Sequence, residues 1–193
     1  MSAICASNWL LAGPLPIPGI CEIVAAYTQR LTGVLQGDYA ISGSPVLAMC
    51  LLPSMSKLHQ IVVSSDDGRV QVVDTAGARA RKFEGHTGAV LALTVLDGGK
   101  VVSGSWDKTV RVWDADSGEC LLKLEGHTGS VSSLAVLPDG RLATGSGDRT
   151  IRVWDVSSGT CVLVLAGHTQ SIASLAALPD DRLASGDQFN RAA

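Results

Sequence analysis

The chain has 193 residues, of which 46% are hydrophobic and 17% charged, and its formal net charge is -3. This composition excludes disorder along the whole chain, and the small charge excludes a strongly basic surface of the kind that binds nucleic acid. The densest basic stretch, RARKF at 79–83, is too short to indicate a nucleic-acid or membrane partner.

Residues 1–29 form an N-terminal segment without the patterns that follow it. No Lys or Arg precedes its first apolar stretch, and three prolines interrupt it, so no signal peptide is predicted. No apolar run reaches the roughly 18 residues of a membrane span. A short amphipathic helix is predicted from apolar residues at helical spacing, namely Ile20, Ile23, Val24, Tyr27 and Leu31. Its simplest role is to cover the first repeat.

The five cysteines lie at positions 5, 21, 50, 120 and 161, without a C-x-x-C pair or the spacing of a zinc site. Reduced thiols are therefore expected, which favours the cytoplasm or the nucleus. No metal or other cofactor is predicted.

A strand is predicted at 30–36, and residues 37–84 form a degenerate copy of the units that follow. The apolar run VLAMCLL and the segment IVVSSDDGRVQVVD show the same order of strand and turn signals as the later units. Two complete units then occupy 85–125 and 126–166, and 22 of their 41 aligned positions are identical.

Each complete unit contains four short strands separated by turn residues. The first unit reads AVLALTVL, VVSGS, VRVWD and CLLKL, and the alternation in VRVWD has the period of two that is typical of strands. Each unit therefore predicts a four-stranded antiparallel sheet. One small sheet cannot bury both of its faces, so the units are expected to stack.

The last unit, 167–193, is partial. It begins with the Gly-His pair of the complete units, but no third or fourth strand follows. Spacing of 41 residues places Phe189 at the position of the turn Asp, whereas a two-residue deletion would place Asp187 there. Both alignments remain open at the level of sequence.

The pairs Gly85-His86 with Trp113-Asp114, and Gly126-His127 with Trp154-Asp155, resemble the WD-repeat β-propeller family. The resemblance implies an all-β fold, a partial β-propeller of four-stranded antiparallel blades, here with a short N-terminal helix. A closed propeller has about 4 to 8 blades. The chain is therefore expected to be part of a larger propeller, and self-association through the open blade edge is the alternative.

In that family, a His, a Ser or Thr, an Asp and a Trp form one hydrogen-bonded tetrad inside each blade. The matching residues are His86, Ser103, Asp107 and Trp113 in one unit, His127, Thr144, Asp148 and Trp154 in the next, and His168 and Ser185 in the last. The degenerate unit has Asp38, Val63 and Val73 at the His, Ser and Trp positions, so no tetrad is expected there. Catalytic-triad and metal interpretations are disfavoured because an identical set recurs in each unit.

The resemblance implies a noncatalytic scaffold that binds other proteins or peptides through one end of the propeller. By position in the family, the candidate contact residues are Ala89, Leu91 and Trp106 in one unit, and Ser130, Ser132 and Gly147 in the next. Trp106 is the most informative, because exposed Trp is enriched at interfaces. It could equally pack on the loop of a neighbouring blade.

Two further hypotheses remain. The stretch LPIPGICEIVAAY is similar to the opening of F-box motifs, which implies a substrate-recognition subunit of a ubiquitin ligase. The propeller could also be part of a larger enzyme, although the chain has no G-x-S-x-G elbow and no phosphate-binding glycine loop. We therefore predict no enzyme activity for this chain.

Overall fold

A computed structural model describes residues 46–52, 60–74, 81–180 and 182–188. The predicted N-terminal helix and the strand predicted at 30–36 lie outside these residues. The described residues form fourteen strands: β1 (Val46–Leu52), β2 (Gln60–Ser65), β3 (Val70–Asp74), β4 (Arg81–Phe83), β5 (Val90–Leu96), β6 (Lys100–Ser105), β7 (Val110–Asp114), β8 (Cys120–Leu124), β9 (Val131–Val136), β10 (Leu142–Ser146), β11 (Ile151–Asp155), β12 (Thr160–Leu165), β13 (Ile172–Ala177) and β14 (Leu183–Asp187). No helix in this part of the chain has the length and apolarity needed to cross a bilayer.

The strands form three antiparallel sheets of four strands and one of two. The first blade is β1–β4, the second β5–β8 and the third β9–β12, each in chain order, and β13 pairs with β14. The first strands of successive sheets, β1, β5, β9 and β13, lie side by side and form the inner row of the structure. The prediction of an all-β fold made of four-stranded antiparallel blades is confirmed.

Alternating side chains give the second and third blades two apolar faces, and each of these faces packs on a neighbouring sheet. Between the first and second blades, Val62 packs in one cluster with Leu93 and Trp113. Between the second and third blades, Val102 packs in another cluster with Leu134. Because β-strand side chains alternate, Val101 and Val102 serve opposite interfaces of the same blade.

A β-branched residue at the start of β9 and of β13 fits against a glycine of the preceding blade. A Cβ built on Gly104 would lie 2.8 Å from Cγ1 of Val131, so a side chain at position 104 would exclude Val131. Gly145 is in the same relation to Ile172 of β13. These close approaches explain why both complete repeats carry glycine at this position of the second strand.

The sheet register decides between the two alignments of the last unit. Asp187 lies opposite Ile172, just as Ser105 lies opposite Val90 in the second blade. The strand is therefore aligned without a deletion, and Asp187 occupies the position of that serine. The backbone N–H of Gln188 bonds to the carbonyl of Ser171 at 2.8 Å, which is the bond made by Trp106 to Ala89.

We predict that Gly145→Ala lowers the free energy of unfolding by about 1–3 kcal/mol, because the added methyl group clashes with the side chains of Ile172 and Ser133. The matched control is Gly186→Ala at the same position of β14, where the nearest atom would be the mobile Oγ of Ser174 at 3.1 Å. We expect that change to stay within about 0.5 kcal/mol. Equal losses for the two variants in urea denaturation would contradict the fit of Ile172 against Gly145.

Candidate functional site

The second blade brings the four predicted tetrad residues into one hydrogen-bonded chain. His86 lies on the loop before β5, Ser103 in β6, Asp107 in the β6–β7 turn and Trp113 in β7. The indole N–H of Trp113 donates to Ser103 Oγ at 2.7 Å, and Ser103 Oγ lies 2.7 Å from His86 Nε2. His86 Nδ1 lies 2.7 Å from Asp107 Oδ2.

The third blade repeats this arrangement with threonine in place of serine. Thr144 Oγ1 accepts the indole N–H of Trp154 at 2.9 Å and lies 2.8 Å from His127 Nε2. His127 Nδ1 lies 2.8 Å from Asp148 Oδ2. The two networks have the same geometry because both units have the same spacing.

The turn Asp joins two loops as well as completing the network. Asp107 accepts hydrogen bonds from the backbone N–H of Thr109 at 2.9 Å, from its hydroxyl at 2.7 Å, and from the backbone N–H of Thr87 at 3.1 Å. Burial alone would raise the pKa of Asp107, but the bonds from Thr109 and from His86 lower it to about 2. The loop before β5 and the β6–β7 turn are thereby fixed to each other.

Both tetrad imidazoles are held in the neutral form. Burial lowers the pKa of His86 below its ordinary value of 6.5 and outweighs Asp107, which raises it. Burial has the same effect on the pKa of His127, against the opposing influence of Asp148. The bonding agrees, because a neutral ring donates from Nδ1 to the carboxylate and accepts the serine or threonine hydroxyl at Nε2. Each donor in the network then meets one acceptor.

Within the described residues, neither the first blade nor the two-stranded sheet contains a complete tetrad. In the first blade, Val63 and Val73 occupy the Ser and Trp positions and pack with Ile61 and Met49 in a separate apolar cluster. In the two-stranded sheet, His168 Nε2 lies 2.8 Å from Ser185 Oγ, and Nδ1 lies 3.2 Å from Asp187 Oδ2. Asp187 therefore takes the place of a turn Asp from its position in the strand.

The buried networks contain the same kinds of side chain as a Ser-His-Asp catalytic triad, but a substrate cannot reach them. Ser103 and Thr144 are fully buried, so no substrate reaches their hydroxyl groups. Each hydroxyl also holds an indole N–H, which a nucleophile would have to release. No group of three or more His, Cys, Asp or Glu side chains suited to a metal ion occurs within the described ranges.

Among the candidate contact residues, Trp106 is the one with a large exposed side chain, at 65% of its surface. Its backbone N–H donates to the carbonyl of Ala89 at 2.8 Å, and Gly147 makes the same bond to Ser130. Ala89 is only 4% exposed, so its side chain does not offer a contact to a partner. The partly exposed Ser132 donates its hydroxyl to the carbonyl of Ile172 in the next sheet.

The inner strands begin with a β-bulge, which the sequence does not reveal. Leu91 and Ser132 are the extra residues of the bulges in β5 and β9. A bulge re-aims the side chain of its extra residue away from the regular ladder. The corresponding residue of β1 is Leu47, which is exposed and was not among the predicted contact residues. The degenerate sequence around β1 hid this equivalence.

Three segments, 77–114, 118–155 and 159–189, match the family model "WD domain, G-beta repeat". They cover more than half of the chain, so the protein belongs to the WD40 repeat family. The first segment spans β4 to β7, and thus joins the outer strand of one blade to three strands of the next. Phe83 of β4 stacks on Trp113 of β7, with 5.6 Å between the ring centroids. This contact joins the outer strand of the first blade to the third strand of the second blade, which are the two ends of the matched segment.

Parts of this chain are similar to several known proteins. Cell division control protein 4 of Saccharomyces cerevisiae is 40% identical over 63 residues, which cover 32% of this chain and 8% of that protein. WD repeat-containing protein 18 of Bos taurus is 35% identical over 120 residues, which cover 55% of this chain and 28% of that protein. The crystal structure of the WD40 beta propeller domain of Doa1 has a TM-score of 0.68 at 24% identity, covering 75% of this chain and 48% of that chain. The chain thus spans less than a third of either curated relative and about half of the Doa1 chain. At 24% identity, the similarity to the Doa1 structure shows the fold alone.

We expect His127→Ala to lower the free energy of unfolding by about 1–3 kcal/mol, because it leaves Asp148 and Thr144 without a buried partner. His168→Ala is the matched control, since the side chains of His168 and Asp187 are 28% exposed and Asp187 can bond to water instead. Urea denaturation should show a clearly smaller loss for His168→Ala. Equal losses would contradict a structural role for the buried networks.

Stability should also fall as the pH falls below neutral. The folded-state pKa values of His86 and His127 lie below 6.5, so the unfolded chain binds protons first as the pH drops through 6.5. A second loss is expected below pH 3.8, where the unfolded chain protonates before Asp107 does. Urea denaturation at about pH 7.5 and about pH 5.5 measures the first step. If His127→Ala shows the same pH dependence as the wild type, this assignment is wrong.

Proposed function

We propose that this protein is a noncatalytic scaffold that binds a protein or peptide at the end of the blades where Trp106 lies. WD40 propellers generally serve as noncatalytic scaffolds for other proteins. The observation that carries the proposal is the exposure of Trp106 on a turn that has little freedom to move. Ser105 donates its hydroxyl to the carbonyl of Gly88 at 2.9 Å and accepts the N–H of Asp107, so both sides of Trp106 are anchored.

A rigid Trp suits binding for two reasons. Its large apolar surface loses contact with water when a partner covers it, and its fixed backbone has little conformational entropy left to lose. The neighbouring Lys108 is exposed, and so is Arg149 at the same position of the third blade. We therefore propose a partner segment with an apolar side chain that covers Trp106 and a carboxylate that reaches these cations.

The bulge residues extend this surface along the inner row of strands. Leu47 and Leu91 come from the first two blades, whereas the third blade contributes the smaller and polar Ser132. The apolar contacts are thus concentrated on the first and second blades. A partner of this surface should place its apolar side chains there and its polar ones towards the third blade.

The second partner that we propose is another copy of the chain, associated through the edge of β14. Within the described residues β14 pairs with β13 alone. Such an edge can accept another strand through its free backbone groups.

Cys120 and Cys161 are free thiols, which supports the proposed cytoplasmic or nuclear location. The F-box-like segment lies outside the described residues, and its role in a ubiquitin ligase stays a prediction. A larger enzyme with this propeller as one part also stays a prediction.

We predict that Trp106→Ala weakens binding of a scaffold partner by about 2 kcal/mol or more while the thermal unfolding midpoint stays unchanged. Affinity purification from cells that express the protein, with quantitative mass spectrometry, identifies partners that the variant loses. Leu121→Ala removes an exposed apolar side chain from the outer strand β8 and serves as the control. Partners that bind both variants and the wild type equally, or a Trp106→Ala variant that unfolds early, would refute the proposal.

A further inference from the structure

A cleft of about 170 Å³ lies between the second and third blades, both of which are complete four-stranded sheets. Its apolar lining consists of Leu96, Val112, Leu121 and Leu122 of the second blade and Val136 and Val156 of the third. Lys100, which also lines the cleft, begins β6, whereas Trp106 directly follows the end of that strand. The cleft and the exposed Trp106 therefore lie at opposite ends of the second blade.

An arginine spans the equivalent position between the first and second blades. Arg81 of β4 has the same place in the sheet register as Leu122 of β8. The guanidinium of Arg81 donates to the carbonyl of Ala115 at 2.7 Å and forms an ion pair with Asp116 at 3.3 Å. These two contacts join the outer strand of the first blade to the β7–β8 turn of the second.

The interface between the second and third blades has no such arginine. Leu122 takes the place of the arginine, and Val156 and Ser157 take the places of the two turn residues. The side chain of Leu122 cannot donate a hydrogen bond to the β11–β12 turn. The apolar side chains on either side are therefore left partly uncovered, and that of Leu121 is 44% exposed. Exposed apolar side chains that line a concave site favour the binding of a partner.

Two charged side chains of the β5–β6 turn line the same cleft. Asp97 and Lys100 are exposed, and neither forms an ion pair with another residue that the structure describes. Arg141, the counterpart of Lys100 in the third blade, is instead paired with Asp139. The ammonium group of Lys100 is therefore available to a carboxylate of a partner, beside apolar surface that the same partner can cover.

The size of the cleft favours one side chain of a peptide over a larger small-molecule ligand. Pockets for drug-sized ligands have volumes of about 300–1,000 Å³, whereas a cavity of about 150 Å³ holds benzene. A cleft of about 170 Å³ therefore has room for one side chain of the size of leucine or phenylalanine. The main chain of such a peptide would lie at the mouth of the cleft, beside Lys100.

We propose that this cleft is a docking site for a partner peptide that inserts one large apolar side chain and places a neighbouring Asp or Glu at Lys100. The inserted side chain would contact Leu121 and Leu122 from one wall and Val156 from the other. The site is separate from the Trp106 surface, and the inference does not depend on the function proposed there.

The test selects peptides on the full chain from a phage-displayed library of random short peptides. Peptides that bind the Trp106→Ala variant as well as the wild type are kept, which removes those that bind the surface proposed above. The kept peptides should share a large apolar residue beside Asp or Glu. In fluorescence anisotropy, replacing this apolar residue with Ala should weaken binding about tenfold or more, because the peptide then buries less apolar surface.

The decisive variant copies the first interface into the second. Leu122→Arg together with Ser157→Asp supplies the arginine and the aspartate that span the equivalent position, so it should close the cleft and abolish binding of the selected peptides. Leu163→Arg is the matched control. It makes the same change at the equivalent position of β12, which is exposed and outside the cleft, and should leave binding unchanged.

A charge exchange tests the same site at an exposed position that does not affect the core. Lys100→Glu should weaken binding of the acidic peptides about five- to tenfold, and replacing the acidic peptide residue with Lys should restore it. A selection that yields no such peptides, equal binding by the wild type and the double variant, or no restoration by the Lys peptide would overturn the proposal. So would conversion of a dimer into a monomer by Lys100→Glu in sedimentation velocity, because a second copy would then occupy the cleft.

Discussion

The structure depends on one constraint: a four-stranded sheet with two apolar faces must cover both of them. The strands of the second blade show this directly, because Val101 packs towards the first blade and Val102 towards the third. A blade therefore cannot be stable alone, and its neighbours on both sides belong to its core. The close fit of Val131 to Gly104 and of Ile172 to Gly145 follows from the same stacking.

The tetrads provide hydrogen-bond partners for polar groups that become buried when the blades stack. Trp113 and Ser103 lie on the face that packs against the first blade, so their polar atoms leave water when the blades meet. A buried donor or acceptor without a partner is costly, and the chain of bonds from indole to carboxylate leaves none of these atoms unpaired. Asp107 of this network also accepts the backbone N–H of Thr87, which holds the loop before β5 against the β6–β7 turn that carries Trp106. Stability and the presentation of the exposed Trp thus rest on the same network.

The sequence predicted the strands and the tetrads because both depend on regular spacing. The period of two in VRVWD identifies a strand, and identical spacing in two units places His86 and His127 in identical surroundings. The bulges were not predicted, because one extra residue in a strand has no distinctive sequence, and Leu47 was missed for that reason. Position in the repeat predicts Ala89 as a contact residue, but its side chain is buried, because burial depends on a turn geometry that spacing does not specify.

The first blade and the two-stranded sheet show that solvent exposure determines which side chains are stable at the tetrad positions. In the first blade, Val63 and Val73 are buried, and the polar network is replaced as a whole by apolar side chains. Removal of a single member would instead have left an unpaired polar group in a dry environment. At Ser185 the site is exposed, so water can serve the groups that lack a partner, and a partial network is tolerated. The first arrangement removes every polar member of the network, whereas the second keeps His168 and Ser185 within reach of water, and neither leaves an unpaired polar group in a dry environment.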